Sequence, residues 1–409
     1  MKQEEKIKIR KGASNFTLVG NIRLNDNSFR IQEESASGYI YNRINLSVDC
    51  GNGNVVFCEV MGGHNPMNEY PIYVHGKKPD GMDDYSNSFT IAWEDRFNKD
   101  LLYDVGERCF YIARLQKDLD DKLITEKFLS AYDFIEFLYK TLNNGQKVRI
   151  DGVLQYTYYN GEIQTRKIIN KIQLASDEAA LQATYSQMFL INKDSIGKRE
   201  KEKKRIPVYA YVPEYVSKYD SIPVKETVLM PKDFYIYEDD FASSQAVINM
   251  FKKWFKFHDG WFAAITAMGE IKEGVSLASY QLEDLDEDTR FFVETGILTM
   301  EEAVSKVISE NSSEKIFTFK GPRVVRVGDE NTEGLGSIRP DYEEKKYKVD
   351  EVTFMKDIVS RFSLNEDNPS PKQSAKNSSN QTKDEPSKNT EDESKIGDID
   401  LDSMFDGLF

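Results

Sequence analysis

Three stretches near the start of the chain alternate apolar and polar residues, the pattern typical of strands with one buried face. Residues 14–24, 39–48 and 55–61 each predict a strand, and Gly62-Gly63 ends the third. In the second stretch the apolar positions are Ile40, Ile44, Leu46 and Val48. The opposite, outward face carries Tyr39, Tyr41, Arg43, Asn45 and Ser47.

A helix and a long hairpin follow. Residues 131–142 place apolar side chains at helical spacing, and Asn143-Asn144-Gly145 ends the predicted helix. Residues 147–174 predict two long strands that turn at Asn160-Gly161, a strong signal for a two-residue hairpin. Gly152, inside the first of these strands, predicts a bulge or tight bend of the kind a small barrel needs.

Two regions are less regular. Residues 64–127 mix turn signals with short apolar runs, so they are predicted to be an insertion with some strand content. Residues 177–364 predict a second, α+β domain whose strands are compatible with another barrel of the same kind. Its predicted strands are 187–192, 205–212, 260–271 and 315–327, the last broken at Gly321-Pro322, and its predicted helices are 241–257, 286–294, 300–309 and 350–362.

The end of the chain differs in composition from everything before it. Residues 365–397 are rich in Ser, Asn, Lys, Glu and Pro and are predicted to be disordered. Residues 398–409 interleave four aspartates with large apolar residues. This tip predicts a partner-docking peptide whose carboxylates mimic phosphate and whose apolar side chains supply the anchor. Its docking residues are Asp398, Asp400, Asp402, Phe405, Asp406, Leu408 and Phe409.

Composition excludes several classes of protein. The 409 residues carry a net charge of −15, so the chain is not a uniformly basic phosphate binder, although a local basic stripe suffices for binding. Cys50, Cys58 and Cys109 form no C-x-x-C pair, and the histidines share no i,i+4 spacing. No metal site, cofactor or disulfide is therefore predicted. Since neither a signal peptide nor a long apolar run is present, a cytoplasmic protein is expected.

Catalytic signatures are missing from the sequence. It has no G-x-x-x-x-G-K-[ST], G-x-S-x-G or H-E-x-x-H motif. Acidic clusters at 83–84, 118–121, 238–240 and 284–288 fall in predicted turns or helix starts, where Asp and Glu cap ends. The chain is predicted not to be an enzyme. A nuclease whose carboxylates converge on metal ions remains a rival hypothesis, which DNA cleavage would reveal.

The outward face of the second predicted strand is the first candidate binding surface. Exposed rings such as Tyr39 and Tyr41 stack on bases, at about 1–3 kcal/mol per base, and a cation such as Arg43 neutralises phosphate. Further phosphate contacts are predicted at Arg23, Lys147 and Arg149. The alternative is that these side chains only stabilise an exposed sheet through cross-strand pairs.

The tip of the long hairpin is the second candidate surface, because rings and cations on a finger suit clamping a single strand. The candidates are Tyr156, Tyr158, Tyr159, Arg166 and Lys167. The alternative is that Tyr156 and Tyr158 continue the core face begun by Leu154. Residues 198–205 hold six basic and two acidic side chains and predict either a phosphate-contacting loop or a solvated one.

Several motifs resemble those of the bacterial and phage single-stranded DNA-binding proteins. Gly145 to Leu154 resembles the family pattern G-x-x-V-x-I-x-G-x-L, which follows a helix and opens a DNA-contacting hairpin. Leu18 to Ile22 resembles the first strand, L-V-G-N-L, and Val60-Met61-Gly62 resembles the end of the third. The acidic tip ending in Phe409 resembles the tails that recruit replication and repair proteins in that family.

The resemblance implies a mainly β protein with some α structure: a five-stranded OB-fold barrel in residues 1–176, interrupted by the insertion. It implies that the chain coats and protects single-stranded DNA during replication, recombination and repair, and that the tip docks partners. RNA is not distinguished from DNA on these grounds.

This chain departs from the family pattern in three places. Val55 and Phe57 stand where the family has a Trp, and the tip lacks the ending D-D-D-I-P-F. Residues 64–127 and 177–363 have no counterpart in the short bacterial members. The chain thus resembles a large, divergent, phage-type member, expected in a host cytoplasm. A rival hypothesis is an adaptor of a replication or transcription complex, or an accessory subunit of a DNA-processing enzyme, without direct DNA binding.

Overall fold

The computed structural model describes residues 9–220, 222–241, 246, 250, 256–273, 282, 285–300, 303, 315–327 and 337–363. Strands dominate these residues and helices are few, as predicted. The predicted helices 241–257 and 300–309 lie largely outside the described residues. The predicted disordered segment 365–397 and the tip 398–409 lie wholly outside them.

The first region contains ten strands and two helices. The strands are β1 (Ser14–Arg23), β2 (Phe29–Glu34), β3 (Ile40–Asp49), β4 (Val55–His64), β5 (Ile72–Lys77), β6 (Asp83–Ile91), β7 (Tyr111–Arg114), β8 (Glu126–Phe128), β9 (Lys147–Tyr159) and β10 (Glu162–Leu174). The helices are α1 (Lys99–Tyr103) and α2 (Ala131–Thr141).

The described part of the second region adds further strands and two helices. The strands are β11 (Gln182–Ile191), β12 (Arg205–Val208), β13 (Tyr211–Tyr219), β14 (Ile222–Pro231), β15 (Phe234–Tyr237), β16 (Trp261–Lys272), β17 (Ile316–Phe317), β18 (Gly321–Pro322), β19 (Val324–Val327), β20 (Ser337–Pro340) and β21 (Tyr342–Lys348). The helices are α3 (Glu287–Glu294) and α4 (Met355–Ser363).

Five strands of the first region close into a ring, called the first ring below. Going round it, β1 pairs with β3, β3 with β4, β4 with β10, β10 with β9, and β9 with β1. All of these pairs are antiparallel except β4 with β10, which run parallel and meet at Glu59 and Ile168. The helix α2 lies between β4 and β9 in the chain and buries Phe134, Ile135 and Leu138. This connectivity confirms the predicted OB-fold barrel.

The hairpin of β9 and β10 has the predicted bounds. Asn160 and Gly161 both adopt positive φ, 49° and 86°, as a two-residue turn of the mirror-image type requires. Gly152 lies where the two strands approach closely: a Cβ there would be 2.1 Å from the carbonyl oxygen of Ile168. The irregularity in register lies opposite it, between Ile169 and Lys171. A bulge or tight bend was predicted at Gly152 of β9; the bulge is present, but it lies on β10.

The insertion forms its own small core and then lengthens the sheet of the barrel. β5 pairs with β6, and their buried face packs with later residues of the insertion. This cluster consists of Ile72, Val74, Ile91, Val105, Phe110 and Leu129. β7 then pairs in parallel with β10, and β8 pairs with β7. The insertion is therefore joined to the first ring by backbone hydrogen bonds.

The second region shares four of the first ring's five pairings, and its strands are called the second ring below. β11 pairs with β13, β13 with β14, β17 and β18 with β16, and β16 with β11. In place of the fifth pairing, a parallel bridge joins Tyr235 on β15 to Thr318, which lies between β17 and β18. β11 also pairs with β1, and buried side chains of both rings form one cluster. The division at residues 176 and 177 therefore stays a prediction.

The second ring departs from the sequence-based predictions in its last third. Gly321-Pro322 does not break a strand, because these residues form β18 and pair with Ala267 and Met268. The predicted helix 350–362 begins only at Met355, since Phe354 is held in a parallel bridge to Leu229. β14, β15, β20 and β21 were not predicted.

Part of the outer face of the second ring is covered by the chain itself. Met188 and Leu190 alternate along β11 with inward-facing Phe189 and Ile191, so they point outward. They are nevertheless buried, in an apolar cluster with Leu229, Phe262 and Tyr347. The segment from β21 to Phe354 packs against this cluster and covers that part of the face, while Tyr215 on β13 and Met268 on β16 are 57% and 45% exposed.

Candidate functional site

A carboxylate held by two guanidinium groups lies on the outer face of the first ring. The Nε of Arg166 on β10 donates to Oε1 of Glu59 on β4 at 2.7 Å. Nη2 of Arg43 on β3 donates to Oε2 of the same carboxylate at 3.1 Å. The three side chains are 15–18% exposed. Two guanidinium groups therefore share one carboxylate.

Strand alternation explains why these residues meet. In β4 the side chains of Val56, Cys58 and Val60 point into the ring and are buried. Phe57 and Glu59 must then point outward, and the ring of Phe57 is 58% exposed. Phe57 was predicted to lie near the position of the family's Trp. Neither Phe57 nor Glu59 was predicted to contact a ligand.

The charge state of Glu59 follows from its two partners. Burial alone would raise the pKa of this carboxyl group. The hydrogen bond and charge of Arg166, followed by the charge and hydrogen bond of Arg43, together outweigh burial and hold the pKa below its usual value. Glu59 is therefore ionised at neutral pH, and the cluster stays intact there.

The Nε of Arg43 is buried and has no hydrogen-bond partner among the described residues. A buried guanidinium N–H without an acceptor is unfavourable and is normally satisfied by protein, water or ligand. Because solvent does not reach Nε, an incoming anion would meet Arg43 at its terminal nitrogens, of which Nη2 is bonded to Glu59.

Two tyrosine side chains on β3 that were predicted to stack on bases are less exposed than expected. Tyr41 is only 7% exposed, so the prediction that it faces solvent is wrong. Tyr39 stacks on it with ring centroids 6.3 Å apart, and burial raises the pKa of Tyr39 to about 12 despite a hydrogen bond from the backbone of Gly63. These rings line the sheet beside Arg43 and do not present free faces.

Two predicted contacts in the hairpin are buried and cannot meet a ligand in this structure. Tyr156 is 1% exposed, and its hydroxyl donates to Oε1 of Gln187 at 3.2 Å. Lys167 is 4% exposed, and its Nζ lies 2.6 Å from Oε1 of Glu273. Both predictions are wrong, because side chains of β11 and the residue following β16 pack against the hairpin face that had been expected to meet solvent.

The other predicted residues are spread around the first ring. Tyr158 is half-buried against Tyr219, with ring centroids 5.9 Å apart, and Tyr159 next to it is also half-buried. Arg23 pairs with Asp49 at 2.7 Å, and Arg149 pairs with Asp151 at 2.9 Å. Lys147 donates to the carbonyl oxygen of Asp177. Arg23, Lys147 and Arg149 lie on β1 and β9, which do not neighbour β4, so the ring does not bring them to Glu59.

The basic run 198–205 is largely matched by nearby acids. Arg199 pairs with Glu238, Lys204 with Asp239, and Arg205 with Glu200. This favours the structural alternative for those three cations. In the described part of the chain, no group of three or more His, Cys, Asp or Glu could hold a metal ion. No helix described there is long and apolar enough to span a membrane.

Comparison with known proteins gives limited information. No protein-family model matches the chain, and no curated protein matches it. Among solved structures, the chain is similar to the wild-type single-stranded DNA-binding protein from Thermus aquaticus and to a deletion mutant of it. The identity is 10% in both cases and the TM-score 0.28; the match covers 64% of this chain and 87–88% of the other. A similarity this weak assigns neither a family nor a function to this chain.

Proposed function

We propose that this chain binds single-stranded DNA on the outer face of the first ring, where β3, β4 and β10 lie side by side. The observation that carries the proposal is the pair Arg43 and Arg166, which meet at Glu59 beside the exposed ring of Phe57. Guanidinium groups bind phosphate through directed, charge-assisted hydrogen bonds. An exposed ring stacks on any base, so binding requires no particular sequence.

The first ring is favoured over the second by the groups that it exposes together. On the second ring, Leu229 and Phe262 lie in a buried apolar cluster, and the exposed side chains include Tyr215 and Met268. On the first ring, Phe57 and Asn45 are open to solvent next to the arginine pair. The combination of an exposed ring with two guanidinium groups is what favours the first ring.

The proposed role is non-enzymatic: the chain coats and protects single-stranded DNA during replication, recombination and repair. The tip 398–409 recruits partner proteins, supported by its alternation of aspartates with Phe405, Leu408 and Phe409. Its carboxylates compete weakly with DNA phosphates for cationic groups. Removal of the tip should therefore leave DNA affinity unchanged or raise it.

The test is a titration of labelled oligo(dT), followed by fluorescence anisotropy at several salt concentrations. The informative variant replaces the whole cluster, Arg43→Gln, Glu59→Gln and Arg166→Gln, because removing the arginines alone would strand a buried carboxylate. Its control is Lys140→Gln, on the exposed side of α2, which changes the net charge equally. The triple variant should bind about tenfold more weakly at low salt, with a shallower salt dependence. The proposal is wrong if the wild-type chain does not bind, or if the two variants bind equally well.

A further inference from the structure

Glu59 occupies the place that a phosphate would take between two guanidinium groups. Each of its carboxylate oxygens accepts a hydrogen bond from a different arginine, at 2.7 and 3.1 Å. Guanidinium groups bind phosphate as well as carboxylate through such charge-assisted hydrogen bonds. The same side of β4 carries the exposed ring of Phe57, two residues away.

We infer that Glu59 is an internal substitute for a backbone phosphate and that it limits the affinity of the site for nucleic acid. This inference rests on the proposed function of the same face. A DNA phosphate that approaches Arg43 or Arg166 must share the guanidinium groups with a negative charge already bonded to them. Part of the attraction is therefore cancelled before DNA arrives.

Arg43 is bonded to Glu59 through Nη2, whereas its buried Nε has no partner among the described residues. Because solvent does not reach Nε, a phosphate that approaches this face meets Arg43 at its terminal nitrogens. Glu59 is already bonded there, so the two anions compete for the same end of the guanidinium group.

The competing explanation is that Glu59 only offsets the charge of two partly buried arginines. The variant Glu59→Gln separates the two explanations, because glutamine keeps an acceptor oxygen and removes the negative charge. Under the purely structural explanation, the variant changes the stability of the fold. Its DNA affinity then changes no more than that of a variant in which a distant carboxylate is neutralised. Under the inference, it frees one cation for phosphate.

The experiment measures oligo(dT) affinity of the full chain and of Glu59→Gln over a range of salt concentrations. The control is Glu136→Gln on α2, whose carboxylate pairs with Lys140 and which makes the same change in net charge away from the strands. One additional phosphate contact steepens the slope of log K against log salt by about 0.7 for a single strand, or about tenfold in affinity near 50 mM salt. Circular dichroism confirms that each variant is folded.

The outcomes separate this inference from the proposed function. A tenfold gain and a steeper slope for Glu59→Gln, beyond any change in Glu136→Gln, support it. If the wild-type chain binds DNA and the two variants behave alike, the inference is wrong and the proposed function stands. If neither the wild-type chain nor any variant binds, the proposed function fails and the inference fails with it.

Discussion

Lys232 offers a quantitative test of the packing between the rings. It lies between β14 and β15, with its Nζ 4.2 Å from the centre of the Phe317 ring. Burial lowers the pKa of this amine to about 8, assisted by the charge of Lys167 and opposed by Glu273 and Asp233. The folded chain therefore holds this proton less tightly than the unfolded chain does.

The sign and size of the effect follow from that difference. A shift from 10.5 to about 8 corresponds to about 3 kcal/mol of destabilisation below pH 8, by the linkage between proton binding and folding. Solvent reaches part of this side chain, so about 2 kcal/mol is the expected value. The cost declines as pH rises from about 8 towards 10.5, because the amine then loses its proton in both states.

The substitution Lys232→Met should therefore raise the free energy of unfolding by about 2 kcal/mol at about pH 7. Near pH 10, the gain should shrink to less than about 1 kcal/mol. Urea denaturation of both proteins at each pH measures the difference, and Lys140→Met on the exposed side of α2 serves as the control. A gain that is the same at both pH values would refute the assignment of a low pKa to Lys232.

Three further predictions concern the barrel. Phe57→Ala should weaken oligo(dT) binding by about 1–3 kcal/mol, because a stacking ring is lost. Tyr139→Ala removes an equally exposed ring on α2 and should leave binding unchanged. Equal losses of affinity for the two variants in an anisotropy titration would count against the site. Lys167→Met should lower the free energy of unfolding by about 3–5 kcal/mol, because Glu273 is left buried without its partner. Adding Glu273→Leu should recover part of that loss in urea denaturation, and no recovery would show that the buried charge is not the cause. Gly152→Ala should cost about 1–3 kcal/mol by the same assay, since its Cβ would lie 2.1 Å from the oxygen of Ile168, and an unchanged midpoint would contradict that contact.

The parts of the fold that were predicted correctly depend on local information. Alternation in β1 and β3, the Asn160-Gly161 turn and the spacing of α2 are each encoded within a dozen residues. The connectivity of a small barrel then follows from their order. β14 and β21 were not predicted, because their outward faces are covered by other parts of the chain. The alternation of apolar and polar residues is therefore weaker in these strands.

The candidate site was only partly predictable, since burial is decided by distant residues. Tyr156 and Lys167 are residue types that suit a binding finger, but they bond to residues from later in the chain. These partners are Gln187 on β11 and Glu273, which follows β16. Arg43 and Arg166 were predicted individually. That they share Glu59 depends on the parallel contact between β4 and β10, which no local pattern in the sequence indicates.

Photo-crosslinking tests the central claim most directly, because it reports where DNA lies on the full chain. An oligonucleotide carrying 5-iodouracil is irradiated with the protein at low salt, and the crosslinked peptides are identified by mass spectrometry. Binding on the outer face of the first ring predicts crosslinks in β3, β4 and the start of β10, with Phe57 foremost. Crosslinks confined to α2 or to the second ring would contradict that location.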